Sequence, residues 1–268
     1  MTGLDFDGLL LDLDGCVYTG RAAVPGAAQA LTGLAEAGIP VVYLTNNASR
    51  SADEVASHIS SFGIDARPEQ VLTSGIVAAR ELAATVPAGA PVLVVGSPAL
   101  AQQVLAAGLE VVDSAADAPV AIVQGHSPNT GWRQLAEICR AVRAGAQWWA
   151  TNLDRTFPLE DGQMPGNGAF VRVVEETTGA HPRVAGKPAA SMMRAGTAAL
   201  GAQRPLMVGD RLETDIAGAR AAGMTAGLVL TGIHGEEDAL AAPAQQRPHV
   251  ILDSLLDLLP GGAPRRLP

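Results

Sequence analysis

The amino-acid sequence predicts an α/β protein built on a parallel sheet, and three observations support this class. Short apolar runs of strand length alternate with longer, alanine-rich stretches of helical character. Most of the helical stretches are followed by a glycine, which commonly ends a helix. The apolar runs are largely unbroken by polar residues, as expected for strands that are covered on both faces.

The strands are predicted from apolar runs that are bounded by turn-forming or charged residues. The first run, LLLDL, ends in acidic residues, the second is IPVVYLT, and PLMVG leads into Asp210. The predicted strands are residues 9–13, 39–45, 92–96, 120–124, 147–151, 205–209, 225–230 and 250–252.

The helices are predicted from their start and stop signals. Pro25 opens the first helix and Gly38 follows its end, while Ser51 and Glu54 form a capping box for the second. Residues 152–168 are rich in Asp, Pro and Gly and are predicted to form a loop. The predicted helices are residues 25–37, 51–62, 98–107, 132–143, 168–178, 190–200 and 214–222.

The α/β rhythm begins again near residue 91 without a linker long enough to separate independent domains. The second α/β segment is therefore predicted to be inserted into the first. We expect residues 1–87 and 182–268 to form one discontinuous domain and residues 88–181 to form the inserted one.

Composition excludes several classes of function. The 268-residue chain has a formal net charge of −9, which argues against nonspecific binding to nucleic acid or to an anionic membrane. No apolar run approaches the roughly 18–20 residues that a bilayer requires. Two cysteines are too few for a disulfide framework. The first 14 residues contain no basic residue, whereas a targeting peptide contains basic residues. We expect a cytoplasmic protein.

The basic residues are distributed unusually. Of the 18 basic residues, 17 are Arg and one is Lys187. Chance retention of one lysine is one interpretation. The other is that position 187 needs a compact ammonium that a planar guanidinium cannot replace. Asparagine is also scarce, and two of the five, Asn46 and Asn47, are adjacent at the end of a predicted strand.

Carboxylates follow two of the predicted strands. Asp12 and Asp14 end the first strand at i and i+2, and Asp210 follows the strand 205–209, with Asp215 close behind it. Ligands of open parallel sheets bind beyond the carboxyl ends of the strands. Oxygen ligands from Asp12, Asp14 and Asp210 match Mg²⁺, although each acid alone is also typical of a helix cap or turn.

This set suits phosphoryl transfer. A carboxylate beside Mg²⁺ can attack phosphorus, and a second carboxylate can protonate the leaving oxygen and then activate water. Thr45, the backbone of Asn46 and the Lys187 ammonium would hold the nonbridging oxygens, because the reaction needs mainly positioning and charge neutralisation. The stretch around Lys187 is no nucleotide P-loop, since Pro188 follows the lysine and the upstream glycine is missing.

Four motifs in order resemble the haloacid dehalogenase superfamily of aspartate-nucleophile phosphatases. They are Asp12-Leu13-Asp14-Gly15, Thr45-Asn46-Asn47, Gly186-Lys187-Pro188 and Gly209-Asp210 through Asp215. The resemblance implies a Rossmann-like three-layer core in which the insertion is an α/β cap. It is closest to the NagD or 4-nitrophenylphosphatase branch, and within it to actinobacterial glycerol-3-phosphate phosphatases.

The resemblance also implies roles for the residues. Asp12 would be the nucleophile and a metal ligand, and Asp14 the acid/base, with its carbonyl on the metal. Asp210 would be the third protein ligand and Asp215 a supporting residue. Thr45, Asn46, Asn47 and Lys187 would bind the substrate.

The expected activity is a Mg²⁺-dependent phosphomonoesterase acting on a small phosphorylated metabolite, with glycerol 3-phosphate as the first candidate. A nucleoside monophosphate or sugar-phosphate phosphatase, a phosphoryl-transferring mutase and a non-catalytic phosphate sensor are the alternatives. A homodimer formed through the cap is expected from the same resemblance. Cys16 is expected to pack in the core, with a thiol near the nucleophile as the alternative. His126 is expected to lie in a solvated loop, with contact to the substrate as the alternative.

Overall fold

Two mainly parallel sheets organise the structure, a computed structural model that describes residues 4–159 and 162–267. The pair β15–β16 is antiparallel. The predicted α/β class is confirmed. The strands are β1 Gly8–Asp12, β2 Tyr18–Thr19, β3 Ala22–Ala23, β4 Val41–Thr45, β5 Val71–Thr73, β6 Pro91–Val95, β7 Glu110–Val112, β8 Ala121–Gln124, β9 Gln147–Ala150, β10 Thr156–Leu159, β11 Gly162–Pro165, β12 Arg183–Val184, β13 Pro205–Gly209, β14 Thr225–Val229, β15 Val250–Leu252 and β16 Arg265–Arg266. The α-helices are α1 Ala27–Glu36, α2 Ala52–Ser60, α3 Ser74–Ala83, α4 Pro98–Ala106, α5 Trp132–Arg143, α6 Asn167–Thr178, α7 Ala190–Leu200, α8 Ala217–Ala221 and α9 Glu236–Ala241.

The first compact unit contains described residues from the ranges 1–45, 52–72 and 187–268. Its seven-stranded sheet has the order β16-β15-β14-β13-β1-β4-β5. The strand β1 pairs in parallel with β13 on one side and with β4 on the other. Because these three strands run in the same direction, the residues that follow them lie at the same edge of the sheet.

Helices cover both faces of this sheet. Leu9 and Leu11 of β1 lie in a buried cluster with residues of α1 and α2, such as Ile59. Leu10 faces the other way, because side chains alternate along a strand, and it lies under α7. A Cβ atom on Gly196 of α7 would be 3.0 Å from Leu10 Cδ2, so this helix backbone lies directly on the strand. Because helices cover both faces of the sheet, side chains on both faces of β1 are apolar.

The second compact unit contains described residues from 46–51 and 73–186. Its five-stranded sheet has the order β12-β9-β8-β6-β7, and its strand pairings are parallel. Leu93, Ile122 and Ile138 form a buried cluster with Val171 and Val174 of α6. The unit therefore has a core of its own.

The boundaries of the second unit differ from the predicted domain limits. The predicted break at 181/182 assigned β12 to the first domain, but β12 pairs with β9 of the five-stranded sheet. Ala185 N–H donates to Ala150 O and Gly186 N–H to Thr151 O, which extends this pairing up to Lys187. At the other end, α3 belongs to the second unit although residues up to 87 were predicted to belong to the first. The predicted limits differ from the observed ones because backbone hydrogen bonds, such as those between β12 and β9, join residues that are far apart in the sequence.

Several elements were not predicted. No element was assigned between residues 63 and 91, where the structure has β5 and α3. Thr73 caps α3 by accepting a hydrogen bond from Ile76 N–H at 3.2 Å. The predicted loop at 152–168 contains the antiparallel hairpin of β10 and β11, while residues 160 and 161 of that loop lie outside the described residues. The prediction was wrong there because proline and glycine are tolerated in a peripheral hairpin.

Among the helices that the structure describes, none has both the length and the apolar character that crossing a bilayer requires.

Leu100 of α4 occupies a space that two glycines leave open. A Cβ atom on Gly96 would be 2.7 Å from Leu100 Cδ2, and one on Gly125 would be 2.8 Å from the same atom. Leu100 is fully buried, whereas Leu105 on the same helix is 47% exposed. The glycines carry no side chain that could refill the space if Leu100 were truncated.

We therefore expect Leu100→Ala to lower the free energy of unfolding by about 2–5 kcal/mol, the usual result of a cavity that cannot collapse. Leu105→Ala is the matched control and should change the free energy by less than about 0.5 kcal/mol. The measurement is urea unfolding followed by tryptophan fluorescence, because all three tryptophans, Trp132, Trp148 and Trp149, belong to this unit. Equal effects of the two substitutions would contradict the close packing of Leu100 against Gly96 and Gly125.

Candidate active site

Acidic side chains and a lysine meet at the carboxyl edge of the seven-stranded sheet. Asp12 is the last residue of β1, Asp210 directly follows β13, and Thr45 is the last residue of β4. All three are buried. The sheet order β13-β1-β4 brings these strand ends side by side, as the parallel-sheet pattern predicted.

Lys187 joins two of the carboxylates. Its Nζ atom is 2.6 Å from Asp12 Oδ1 and 2.7 Å from Asp215 Oδ1, and it donates to Leu44 O at 3.4 Å. Only 3% of the lysine is exposed. Burial alone would lower the pKa of Lys187, but the negative charges of Asp12 and Asp215 outweigh burial and raise it above its ordinary value. The ammonium is therefore charged at any physiological pH.

The carboxylates are perturbed by the same burial. Burial, followed by the charge of Asp215, raises the pKa of Asp12 from 3.8 to about 6, although Lys187 opposes this shift. Burial, followed by the charge of Asp12, raises the pKa of Asp210 from 3.8 to about 6. Burial also raises the pKa of Asp215, against the effect of Lys187. One ammonium therefore does not compensate three buried carboxylates, and a further cation would lower their pKa values.

One oxygen of Asp210 is held and the other is not. Ile233 N–H donates to Asp210 Oδ2 at 2.8 Å. Asp210 Oδ1 is buried and has no hydrogen-bond partner among the described residues. A buried carboxylate oxygen without a partner is costly unless a cation binds it. The ligand atoms of Asp12, Cys16 and Asp210 lie within 4.8 Å of one another, so this cluster fits a single metal ion.

Two glycines make room for Asp210. A Cβ atom would be 2.4 Å from Asp210 Oδ2 at Gly15 and 2.1 Å from it at Gly232. Gly15 also has a φ of +80°, which side chains disfavour. Thr231 fixes this approach, because its hydroxyl donates to Gly15 O at 2.6 Å. The glycine of the first motif is therefore required for the position of an aspartate in the fourth.

Asp215 lies beneath the end of β13. It belongs to a π-helical turn at Leu212–Ile216, and its Oδ2 atom accepts a hydrogen bond from Arg211 N–H at 3.0 Å. A Cβ atom on Gly209 would be 2.3 Å from Asp215 Cγ, so only glycine allows this approach. The turn thus points a fully buried carboxylate at Lys187.

Asp14 differs from Asp12 in its surroundings. Its side chain is exposed, while that of Asp12 is buried. Gly15 N–H donates to Tyr18 O at 2.8 Å, which turns the chain sharply after Asp14. An exposed carboxylate two residues from a buried one can exchange protons with water, which suits a general acid/base.

Asn46 and Asn47 belong to the second unit and have extensive contacts there. The amide of Asn46 donates to both carboxylate oxygens of Asp154 at 3.3 Å. Its carbonyl accepts from Ser74 Oγ at 2.6 Å and from Asn152 Nδ2 at 2.7 Å. The carboxamide oxygen of Asn47 accepts from the backbone and hydroxyl of Ser49 in a tight turn. These contacts fix the backbone that directly follows Thr45.

The sequence analysis did not predict this polar network. Asn152 in turn accepts from Asp154 N–H at 3.1 Å, and its carbonyl accepts from Asn167 Nδ2 at 2.8 Å. The scarcity of asparagine was the available signal, because three of the five asparagines lie in this network. Cys16 packs in an apolar cluster, as expected, and its thiol also lies near Asp12, which was the alternative. Burial raises the pKa of this thiol well above the ordinary value, and the Asp12 charge adds to the shift.

Two protein-family models match segments of the chain. Residues 9–110 match the family described as haloacid dehalogenase-like hydrolase, and residues 184–258 match the one described as HAD-hydrolase-like. Asp12, Thr45, Lys187 and Asp210 all fall within these two segments.

Individual relatives cover nearly the whole chain. It is 47% identical over 254 residues to a D-glycerol 3-phosphate phosphatase of Mycobacterium tuberculosis, which spans 95% of this chain and 71% of that relative. It is 34% identical over 257 residues to a 5′-nucleotidase of Bacillus subtilis, with 95% and 98% covered.

Solved structures agree with the sequence relationships. A glycerol phosphate phosphatase from Mycobacterium tuberculosis in complex with magnesium matches with a TM-score of 0.91 and 47% identity, covering 95% of this chain and 76% of that one. A p-nitrophenyl phosphatase from Archaeoglobus fulgidus matches with a TM-score of 0.89 and 30% identity, covering 96% and 100%. The resemblance predicted from the four motifs is thereby confirmed, and the chain belongs to the haloacid dehalogenase-like hydrolases, in the branch that contains the 4-nitrophenylphosphatases.

Proposed function

We propose that the chain is a Mg²⁺-dependent phosphomonoesterase that hydrolyses glycerol 3-phosphate to glycerol and phosphate. The observation that carries this proposal is the buried Lys187 ammonium 2.6 Å from the Asp12 carboxylate, together with the buried Asp210 Oδ1 atom, which has no partner among the residues that the structure describes. A nucleophile, a fixed cation and a place for a second cation are the parts that phosphoryl transfer requires.

The proposed metal site uses oxygen donors. Asp12, Asp210 and the carbonyl of Asp14 would hold Mg²⁺, which prefers such ligands. Bound there, the ion would neutralise charge on the phosphoryl group and keep both aspartates ionised. Lys187 supplies the second positive charge, and the Thr45 hydroxyl would donate to a phosphoryl oxygen.

The proposed reaction has two steps on Asp12. In the first, an Asp12 oxygen forms a bond to phosphorus, the ester P–O bond breaks, and Asp14 gives its proton to the leaving oxygen. In the second, Asp14 removes a proton from water, the water oxygen attacks phosphorus, and the bond between phosphorus and Asp12 breaks. Asp12 is released as a carboxylate and Asp14 is again protonated, so the cycle closes.

Asp215 has a positioning role in this scheme. It is fully buried, and its Oδ1 atom is 2.7 Å from Lys187 Nζ. An ammonium has three donors, so two carboxylates and the Leu44 carbonyl fix its orientation. The cation is therefore in place before substrate arrives, which is how preorganised charge lowers a barrier.

The choice of glycerol 3-phosphate is supported by the 47% identity to the mycobacterial D-glycerol 3-phosphate phosphatase. A nucleoside monophosphate is the second candidate, supported by the 34% identity to a 5′-nucleotidase. We propose that the groups that select among such substrates belong to the second unit, in the segments 124–132 and 152–168. Homodimer formation, a cytoplasmic location and the absence of nucleic-acid or membrane partners stay predictions of the sequence.

The first prediction from the proposed function concerns turnover and substrate. With Mg²⁺, phosphate release should be fastest with glycerol 3-phosphate in a panel that includes 5′-nucleotides, sugar phosphates and p-nitrophenyl phosphate. Asp12→Asn, prepared identically, should release no phosphate from any of them, because the amide lacks the attacking charge. Turnover by this variant at the wild-type rate would exclude Asp12 as nucleophile. A preference for 5′-nucleotides would reassign the substrate, and binding without release would identify a sensor.

A second prediction uses the single lysine. Lys187→Arg should lower kcat by about 10²–10³, the usual cost of losing one well-placed donor to the transition state. A guanidinium is planar and wider, so it cannot replace the ammonium next to Asp12 and Asp215 without displacing the phosphoryl group. Arg204→Lys is the matched control, since its side chain is 57% exposed. If Lys187→Arg retained more than about half of the activity, Lys187 would be excluded as the cation that binds the phosphoryl group.

The third prediction concerns pH. Asp12 and Asp210 have pKa values of about 6 in the folded protein against 3.8 ordinarily. Between these values the folded chain binds more protons than the unfolded chain, so without metal these two groups lower stability as pH rises from about 4 to 6. Above that window the carboxylates are ionised and attract Mg²⁺ most strongly.

Mg²⁺ should therefore raise the thermal unfolding temperature clearly above pH about 7 and little below pH about 5, where protons compete for the carboxylates. Thermal unfolding with Mg²⁺ and with excess chelator, across this pH range, measures the effect. Asp210→Asn should abolish the difference. Stabilisation by Mg²⁺ of equal size at both ends of the range would contradict the proposed ligands.

A further inference from the structure

Cys16 lies among the groups that the proposed magnesium site uses. Its Sγ atom and carboxylate oxygens of Asp12 and Asp210 are all within 4.8 Å of one another. All three residues are buried, and Cys16 has no exposed surface. The thiol is therefore part of a three-donor cluster and is not simply a neighbour in sequence.

Backbone contacts hold Cys16 in this position. The left-handed Gly15 turns the chain after Asp14, and Cys16 N–H donates to Leu13 O at 3.2 Å. Val17 N–H donates to the same carbonyl at 2.8 Å. The turn that brings Gly15 against Asp210 thus also brings the thiol towards it.

The second cysteine is a natural reference. Cys139 of α5 is also buried and has no disulfide partner, but it lies in an apolar cluster with residues such as Leu93 and Ile138. A thiol in such surroundings fills space as a small apolar group. Cys16 also belongs to an apolar cluster, which includes Leu13 and Val17. Unlike Cys139, however, its Sγ atom belongs to a cluster of possible metal ligands with Asp12 and Asp210, and Asp210 has a buried oxygen without a partner among the described residues.

The distances suit a metal that accepts sulfur. With Zn–O bonds of about 2.0–2.2 Å and Zn–S bonds of about 2.3 Å, the ligand atoms of a tetrahedral site are about 3.3–3.7 Å apart. Separations of up to 4.8 Å reach these values with small side-chain movements. Mg²⁺ prefers oxygen donors, whereas Zn²⁺, Co²⁺ and Cd²⁺ bind thiolate readily.

We propose that Asp12, Cys16 and Asp210 form a site for a thiophilic divalent cation such as Zn²⁺, which binds through the thiolate and excludes Mg²⁺. On binding, the metal–sulfur bond forms, the S–H bond breaks and the proton passes to water, with no change of oxidation state. A cation bound in this way occupies the Asp12 carboxylate, which then cannot attack phosphorus. Its inhibition of phosphatase activity rests on the proposed function, but its binding does not.

The test uses a protein with one thiol. Cys139→Ala leaves Cys16 as the sole cysteine, so any sulfur–metal bond in this variant involves Cys16. The metal-stripped variant is titrated with Co²⁺ without oxygen, and bound metal is counted by equilibrium dialysis. We expect a thiolate-to-cobalt charge-transfer band that saturates at one equivalent and is bleached by Zn²⁺. Bound Co²⁺ without this band, or no bound Co²⁺, overturns the proposal, and leaves Cys16 with the packing role.

Two further variants locate the other ligands. Cys16→Ser in the Cys139→Ala background should abolish the band and weaken Zn²⁺ binding at least about tenfold, since losing even an outer partner typically costs about 10–100-fold. Asp210→Asn should weaken Co²⁺ binding to a similar extent while near-ultraviolet circular dichroism shows an intact fold. A Co²⁺ affinity unchanged by Asp210→Asn would place the thiolate site elsewhere and overturn the cluster.

The phosphatase assay separates the two proposals. Cys139→Ala should hydrolyse substrate with Mg²⁺ at the wild-type rate and lose activity when Zn²⁺ is added. Absence of the cobalt band with normal Mg²⁺-dependent turnover rejects only the thiolate site. Presence of the band without turnover on any phosphate ester rejects only the proposed function.

Discussion

The ammonium of Lys187, held between two buried carboxylates, is the interaction on which the candidate site depends. Its contacts at 2.6 Å with Asp12 and 2.7 Å with Asp215 leave an ion triad almost without access to water. Burying three charged groups is costly, and removal of one partner from such a set typically costs about 3–5 kcal/mol. The attraction within the triad is largely offset by the cost of removing its charges from water, so the triad contributes little net stability. We interpret it as charge that is held in place for the reaction.

The backbone around the triad is arranged to permit these close contacts. Glycine at positions 15, 209 and 232 lets Asp210 and Asp215 approach where any side chain would collide. The π-helical turn after β13 supplies a buried Asp215 and a donor to its second oxygen in the same few residues. Parallel pairing of β13, β1 and β4 aligns the strand ends that carry these groups. Sheet topology sets the location, and glycines set the distances.

The balance of charge explains why the cluster needs a further cation. Three buried carboxylates share one ammonium, and burial leaves the pKa values of Asp12 and Asp210 at about 6. A divalent cation at the Asp210 oxygen that has no partner in the described part of the chain would correct this imbalance. The same imbalance makes the cluster sensitive to which cation arrives. Oxygen donors suit Mg²⁺, and the Cys16 thiol beside them suits Zn²⁺.

The sequence by itself determined the α/β class, most strands and the identity of the chemical groups, because apolar periodicity and short motifs are local signals. Asp12, Thr45, Lys187 and Asp210 could be selected from four such motifs. It did not predict β5, α3 or the limits of the second unit, since the pairing of β12 with β9 joins residues far apart in sequence. Nor could it predict that Asp14 is exposed while Asp12 is buried, or that Asn46, Asn152 and Asn167 share one network. Only the tertiary structure decided these features, because burial, pKa values and the distance between a thiol and two carboxylates depend on which segments pack together.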